Sequence, residues 1–189
     1  MSLSETAYLA AEKTAEIRHE YQNGKVYAMA GSSKRHNRIA GNCYRAFMSS
    51  SSPCTAFISD VKVRCEKRNS YYYPDVVVGC ADDDNNDDYY LEKPCLIVEV
   101  SSNSTVRKDY LEKSLAYQTI ASLQVYLIVA QDKPRVDMLV RDESSAWTLQ
   151  QYEHLTDVIP LPCVELTLSV AMLYEGLDVS LPVTEDLAQ

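Results

Sequence analysis

The sequence predicts a single α/β domain, residues 1–189, in which a central mixed β-sheet is flanked by helices. Three observations support this class. An Asn-Gly pair joins two β-prone segments near residue 23, and two short apolar segments at 74–78 and 95–100 have the length of buried strands. A helical pattern then separates the second apolar segment from a third one at 124–130.

The N-terminal part predicts a helix followed by a hairpin. Apolar spacing over residues 4–17 indicates a short amphipathic helix whose first turn is capped by Ser4 or Thr6. The two-residue Asn23-Gly24 pair between β-prone segments is a strong hairpin signal, so Glu20 is expected on the first hairpin strand.

The middle of the chain predicts a second helix and then strands. Ser32-Ser33 can cap a helix that ends at the serine run before Pro53. Residues 54–65 favour strands, and a polar turn at 66–70 precedes the segments 71–73 and 74–78. We expect these segments to form an antiparallel meander.

A strand, helix, strand unit follows. Cys95–Val100 predicts a central strand, residues 106–120 have helical character, and Gln124–Ala130 predicts the next strand, which suggests a right-handed parallel crossover. Segments 136–140 and 146–152 predict a hairpin at the sheet edge, and a capped segment is expected near 168–174.

Composition sets limits on the class of protein. Hydrophobic residues make up 46% and charged residues 24%, which is typical of a globular chain. No apolar stretch approaches the ~20 residues that span a bilayer, and the N-terminus lacks a signal-peptide pattern, so we expect a cytoplasmic protein with no membrane partner. The six cysteines form no CxxC pair and are interpreted as small buried hydrophobic residues; their even number leaves disulfides open.

The formal net charge of −9 argues against a protein that coats nucleic acid. Part of this charge is local, because residues 82–88 carry five carboxylates. That segment is interpreted as a solvated loop rather than a calcium loop, since it lacks the glycine and the terminal glutamate of an EF-hand.

Two carboxylates interrupt apolar strands: Asp75 follows Pro74, and Glu99 lies within Leu-Ile-Val-Glu-Val. Burying a charge in this way is costly unless the charge is paired or binds a metal. Each acid alone is explained by a buried basic partner or by an outward-facing position. Two such acids on separate predicted central strands favour a functional site.

Lys113 lies on the predicted helix after the Glu99 strand, with Asp109 and Tyr117 at i−4 and i+4 on the same face. If that helix folds back over the sheet, two turns carry Lys113 about 12 Å, roughly level with Glu99. The alternative is a solvated Asp109–Lys113 ion pair. The set fits metal-dependent phosphodiester hydrolysis, with Asp75 and Glu99 as ligands of a hard cation and the Val100 carbonyl as a third.

These residues together resemble the Uma-type restriction endonuclease family, a branch of the PD-(D/E)xK nuclease superfamily. The resemblance covers residues 8–149 and rests on Glu20 before Asn-Gly-Lys-Val-Tyr, His36, Tyr-Pro-Asp75-Val-Val-Val, Ile-Val-Glu99-Val-Ser, Asp109, Lys113 and Tyr117. It implies a restriction-endonuclease-like core and Mg²⁺-dependent DNA cleavage, with Mn²⁺ as a substitute.

The resemblance also implies residue roles. Asp75 and Glu99 correspond to metal ligands and Glu20 to a supporting acid, although a surface pair with Lys25 explains Glu20 equally well. The superfamily lysine normally lies two residues after the second acid, where this chain has Ser101, so that role passes to Lys113. The loop 101–105 lacks the family's proline, which puts catalytic efficiency in doubt.

A basic helix is the predicted DNA contact. His36, Arg35 and Arg38 are the candidate substrate-binding residues, within a cluster that also contains Lys34 and Arg45. A capping histidine and solvated charges explain the same residues nearly as well. The function predicted from the sequence is therefore a metal-dependent endodeoxyribonuclease acting on DNA as a homodimer. The alternative is a catalytically weak or inactive nuclease-fold protein that serves as a protein-interaction module.

Overall fold

A computed structural model describes residues 2–80, 88–102 and 108–179, apart from the Asp109 side chain. The helices are α1 (Glu5–Glu12), α2 (Lys34–Met48), a π-helical turn (Asp109–Lys113), α3 (Ser114–Tyr117) and α4 (Val170–Leu173), with 3-10 turns at Glu66–Arg68 and Pro162–Val164. The strands are β1 (His19–Gln22), β2 (Lys25–Ala28), β3 (Thr55–Ile58), β4 (Lys62–Cys65), β5 (Ser70–Tyr72), β6 (Val76–Gly79), β7 (Tyr90–Leu91), β8 (Pro94–Ser101), β9 (Val125–Ala130), β10 (Val136–Arg141), β11 (Trp147–Tyr152), β12 (Val158–Leu161) and β13 (Leu166–Ser169). The acidic segment 82–87 and most of the loop 101–105 lie outside the described residues.

The strands form two main sheets and one β-ribbon. The large sheet has the order β11-β10-β9-β8-β6-β3, the small sheet has the order β2-β1-β5-β4-β7, and β12 pairs with β13. Both main sheets are mixed, because β8 runs parallel to β9 and β4 runs parallel to β7 while their other pairings are antiparallel. The predicted mixed α/β class is confirmed.

The N-terminal predictions hold with shorter helix bounds. The Ser4 side chain accepts a hydrogen bond from the Ala7 N–H and so caps α1, which ends at Glu12 rather than near Ile17. The hairpin forms at Asn23-Gly24, where both residues have positive φ angles, 45° and 89°. A Gly at the second of these positions adopts that geometry without the steric cost of a Cβ atom.

Helix α2 begins where the sequence predicts. The Ser33 side chain accepts a hydrogen bond from the His36 N–H, and the helix ends before the serine run, with Ser49 as its C-cap. Its buried face, which includes Ile39 and Cys43, packs on the large sheet. This cap places His36 in the first helical turn, facing the sheet end that carries Asp75.

The parallel crossover from β8 to β9 forms as predicted, with Leu96 opposite Val125 and Val100 opposite Val129. The connecting helix differs from the expected continuous α-helix, because residues 109–113 form a π-helical turn before α3. Such turns occur mostly as single insertions in α-helices and frequently at functional sites.

The predicted meander is wrong. Strands β4 and β5 belong to the small sheet, whereas β3 and β6 pair with each other in the large sheet. Pro74 lies between β5 and β6 and donates no hydrogen bond, which suits a break where the chain changes sheets. The predicted hairpin of β10 and β11 does form, with β11 at the edge of the large sheet.

The large sheet buries both of its faces. Side chains alternate along β8, so that Leu96, Val98 and Val100 face the α2 side, and Ile97 faces the opposite side with Tyr117. Glu99 shares the Ile97 face and is therefore directed at the crossover helix. All eight residues of β8 are buried.

The cysteine interpretation needs a correction. Cys43 and Cys65 are buried, as expected for small hydrophobic residues. Cys54, Cys80 and Cys95 instead converge at one end of the large sheet, where the three sulfur atoms lie within 4.8 Å of one another. Adjacent strands bring together residues that are far apart in sequence, so local spacing did not reveal the group. Within the described residues no helix is long and apolar enough to cross a membrane.

Candidate active site

A cleft of about 480 Å³ opens where the two sheets meet the start of α2 and the π-helical turn. Glu20, His36, Asp75, Glu99, Val100, Lys108 and Lys113 line it. These residues come from five separate segments of the chain, so only the tertiary structure brings them together. The cleft contains all four predicted catalytic residues.

Asp75 sits directly before β6 and is about one-fifth exposed. Its Oδ2 atom accepts a hydrogen bond of 2.7 Å from the Val100 N–H, and His36 Nε2 lies 3.2 Å from the same oxygen. Strand β8 thus orients the Asp75 carboxylate through its backbone, and α2 does so through a side chain. Both contacts are made to Oδ2 of the carboxylate, and neither involves Oδ1.

Glu99 is buried, and its Oε1 atom accepts two hydrogen bonds. Lys113 Nζ and the Tyr117 hydroxyl each lie 2.8 Å from this oxygen. The structure therefore places Lys113 and Tyr117 on the same side of the crossover helix, as their spacing predicts. Burial first and the Glu99 charge second raise the pKa of Tyr117 well above its usual value, so Tyr117 remains a protonated donor.

Glu20 extends from β1 to the same lysine. Glu20 Oε1 lies 3.2 Å from Lys113 Nζ, and Glu20 Oε2 pairs with Lys108. Burial raises the pKa of Glu20, but the charges of Lys113 and Lys108 lower it by more, and the resulting pKa lies below the ordinary value. Glu20 is thus ionised and buried between two ammonium groups. Its partners are Lys108 and Lys113 and not Lys25, the partner in the alternative interpretation.

Lys108 is the residue that sequence reasoning missed. It precedes Lys113 by five residues, a spacing that points to opposite faces of an α-helix but brings residues together across a π-helical turn. A single sequence carries no strong signal for such a turn. The side chain of Asp109, predicted to orient Lys113, is outside the described part of the chain.

The two candidate arginines do not line the cleft. Arg35 donates hydrogen bonds to the backbone carbonyls of Gln131 and Asp178, so it joins α2 to the end of β9 and to the C-terminal segment. Arg38 is exposed on α2 outside the cleft. Val100 is at the cleft wall, where its N–H group is engaged by Asp75.

Comparisons with known proteins identify the family. A family model named Uma2 and described as a putative restriction endonuclease matches residues 6–172. The chain belongs to the Uma2 family. Two similar proteins are uncharacterized proteins of Synechocystis sp.. The protein slr1290 is 32% identical to this chain, and the match covers 93% of each chain. The protein sll1609 is 31% identical, and the match covers 79% of this chain and 86% of sll1609.

A solved structure shares the fold. A crystal structure described as a putative nuclease belonging to DUF820, from Anabaena variabilis ATCC 29413, superposes with a TM-score of 0.69. The match covers 92% of this chain and 97% of that chain at 18% sequence identity. This Uma2 chain therefore has the fold of that structure.

The donor set of the cleft suits a small hard cation. Mg²⁺ in proteins usually takes one or two carboxylates and completes its shell with water and substrate phosphate oxygens. Asp75 and Glu99 supply two carboxylates. Across residues 2–80, 88–102 and 108–179, the only group of three or more His, Cys, Asp or Glu ligand atoms within 4.8 Å of one another is the cysteine group, so the cleft offers no closed, all-protein cage. An open set of this kind suits a hard divalent cation whose remaining ligands are water or substrate oxygens.

Proposed function

We propose that this Uma2 chain is a metal-dependent endodeoxyribonuclease of the PD-(D/E)xK type, hydrolysing DNA phosphodiester bonds in the cleft. The observation that carries the proposal is the convergence of Asp75, Glu99 and Lys113 from three elements that lie apart in sequence. A buried Lys bonded to a buried Glu is costly in a purely structural role, because hydrophobic residues fill such a position as well or better.

Asp75 and Glu99 would hold Mg²⁺, or Mn²⁺ in its place, with the Val100 backbone beside them. Bound there, the cation would position the attacking water and neutralise charge on the phosphate. His36 and the Val100 N–H keep the Asp75 carboxylate oriented through Oδ2. Tyr117 performs the same task for Glu99 through Oε1.

Lys113 contributes a fixed positive charge. Its ammonium group is held by Glu99 and Glu20, and the whole side chain is only 8% exposed, so little water screens the charge. A phosphodiester that enters the cleft gains negative charge as the water attacks, and a preorganised donor stabilises that charge. Glu20 acts through Lys113 and is a positioning residue.

The acidic net charge restricts how DNA is held. Lys108 and Lys113 supply positive charge inside the cleft, while Lys34 and Arg38 are exposed on α2. A chain of formal charge −9 gains little from non-specific attraction to phosphates, so we expect DNA binding to depend on the metal and, because few phosphates are neutralised, to have a shallow salt dependence. Cutting both strands of a duplex requires two active centres, so we expect the protein to act as a homodimer on DNA. Sedimentation of the DNA-bound protein tests this expectation.

The test is cleavage of supercoiled plasmid with Mg²⁺, Mn²⁺ or EDTA by the wild type and by Asp75→Asn, Glu99→Gln and Lys113→Met. Metal-dependent cutting in the wild type is expected to disappear in the first two variants. The cleavage rate of Lys113→Met should be lower than that of the wild type by about 10²–10⁴-fold, which is the range for a positioned side chain that assists proton transfer or charge development. The matched control is Glu143→Gln, an exposed acid in the β10–β11 turn, which should cut normally.

A binding measurement separates catalysis from folding. Calorimetric titration with Mn²⁺ should show binding to the wild type and none to Asp75→Asn, with circular dichroism confirming that the variant is folded. Wild type that neither binds Mn²⁺ nor cuts any DNA would contradict the proposal and favour the interaction-module alternative.

A further inference from the structure

The sheet end opposite the cleft carries the three-cysteine cluster, defined by Cys54, Cys80 and Cys95. Asp75 precedes β6 and Cys80 follows it, so the two sites are about 17 Å apart at ~3.4 Å per residue. The cluster is therefore separate from the proposed nuclease centre. Nothing in the proposed hydrolysis uses it.

Sheet register explains why the cysteines meet. Thr55 pairs with Gly79, so the next rung of the β3–β6 ladder places Cys54 opposite Cys80. Between β6 and β8 the register shifts at Val78 and Gly79, and Cys95 is the extra residue of that β-bulge. Bulges redirect side chains, and this one directs Cys95 at its two neighbours.

The cluster does not correspond to one disulfide. Cys80 is paired with both Cys54 and Cys95. One sulfur forms a single disulfide, so both contacts cannot be covalent in the same molecule and a third thiol always remains. The three sulfur atoms lie within 4.8 Å of one another, so one cation would engage all three once they move apart to the spacing of metal ligands.

The groups around the cluster resemble those around a metal site. The Cys163 backbone carbonyl lies 3.4 Å from the Cys80 sulfur and 3.8 Å from the Cys54 sulfur. With Zn–S of about 2.3 Å and Zn–O of about 2.1 Å, two ligands of a tetrahedral site are separated by about 3.6 Å. The Ser52 hydroxyl donates to the Cys54 sulfur at 2.8 Å, which stabilises a thiolate.

We infer that the three-cysteine cluster binds one thiophilic d¹⁰ cation, with Zn²⁺ as the reference ion, through three thiolates and the Cys163 carbonyl. Thiolate ligands select Zn²⁺ and Cu⁺ over the hard cations that suit the carboxylate cleft. Cys54 and Cys80 are partly exposed, which gives an ion access from solvent. Binding there would join β3, β6 and β8 at the end away from the cleft.

The test uses full-length protein that is fully reduced and metal-free, titrated with Co²⁺ as a spectroscopic probe and then with Zn²⁺. We expect one equivalent of Co²⁺ to give intense thiolate-to-cobalt absorption, which Zn²⁺ abolishes by displacement. Cys80→Ser should lose the absorption, and Cys54→Ser should bind at least about tenfold more weakly. Cys163→Ser is the matched control and should bind as the wild type does, because the proposed ligand is its carbonyl.

Several results would overturn the inference. They are the absence of thiolate absorption in reduced wild type, unchanged binding by Cys54→Ser and Cys80→Ser, or a disulfide among these residues that persists under reducing conditions. If Cys80→Ser does not fold, Co²⁺ binding by Cys54→Ser, whose substitution is at the partly exposed residue before β3, still tests the inference. Asp75→Asn should leave the absorption unchanged, so this test is independent of the nuclease proposal.

Discussion

Replacing Lys113 with Met should destabilise the fold in a pH-dependent manner. Lys113 Nζ lies 2.8 Å from Glu99 Oε1 and 3.2 Å from Glu20 Oε1. At an effective dielectric constant of about 20, these contacts are worth about 6 and about 5 kcal/mol of Coulomb energy. Desolvating the ammonium group offsets much of this, and removing one partner of a buried pair typically costs about 3–5 kcal/mol. We expect a loss of about 3 kcal/mol at pH 7, or about 6–12 °C in Tm for a chain of this size.

The sign of the pH dependence follows from Glu20. Its folded-state pKa is lowered, so it contributes stability that is present above its unfolded pKa and is lost as the pH falls through the folded pKa. Without Lys113 the Glu20 carboxylate loses the largest charge that lowers its pKa, so the pKa moves upward and the variant loses less stability than the wild type as the pH falls. The stability difference from the wild type should therefore be smaller at pH 4 than at pH 7.

Urea unfolding followed by circular dichroism at both pH values measures this difference. Lys108→Met is the control, because Lys108 carries the same charge and contacts Glu20 but is 36% exposed. We expect it to cost at most about 1 kcal/mol, as exposed pairs do. Equal losses in the two variants, or a loss for Lys113→Met that does not change with pH, would refute the reasoning.

Three further predictions concern stability and are measured in the same unfolding experiment. Tyr117→Phe removes a buried donor to Glu99 and should cost about 1.5–3 kcal/mol; no loss would show that this hydrogen bond is dispensable. Leu127→Ala on buried β9 should cost about 2–5 kcal/mol, against less than about 0.5 kcal/mol for exposed Leu149→Ala on the edge strand. Gly24→Ala places an L-residue at a φ of 89° and should cost about 1 kcal/mol, whereas a neutral result would mean that the hairpin turn changes type.

Local signals in the sequence determined much of the fold. The Asn23-Gly24 hairpin, the Ser4 and Ser33 caps and the apolar strand β8 depend on interactions among residues a few positions apart. The same signals singled out Asp75 and Glu99, because a carboxylate within an apolar segment has few structural explanations, whereas Glu20 was indicated only by the family resemblance.

Tertiary structure decided how these pieces combine. Helical spacing placed Lys113 and Tyr117 on one face, but only the packed crossover brings both to Glu99. Glu20 reaches Lys113 from another sheet, at a sequence separation no local pattern spans. The π-helical turn also adds a residue where an α-helix was expected, and so Lys108 faces the cleft.

Tertiary structure also decided how the strands are divided between two sheets and how the three-cysteine cluster forms. Cys54, Cys80 and Cys95 meet because three strands pair in one register with one bulge. For strands that no short turn connects, register is set by side-chain packing across the sheet, which a residue's neighbours in the chain do not encode. The sequence by itself determined which residues form strands and which acids need a partner, whereas long-range packing determined which of them share a site.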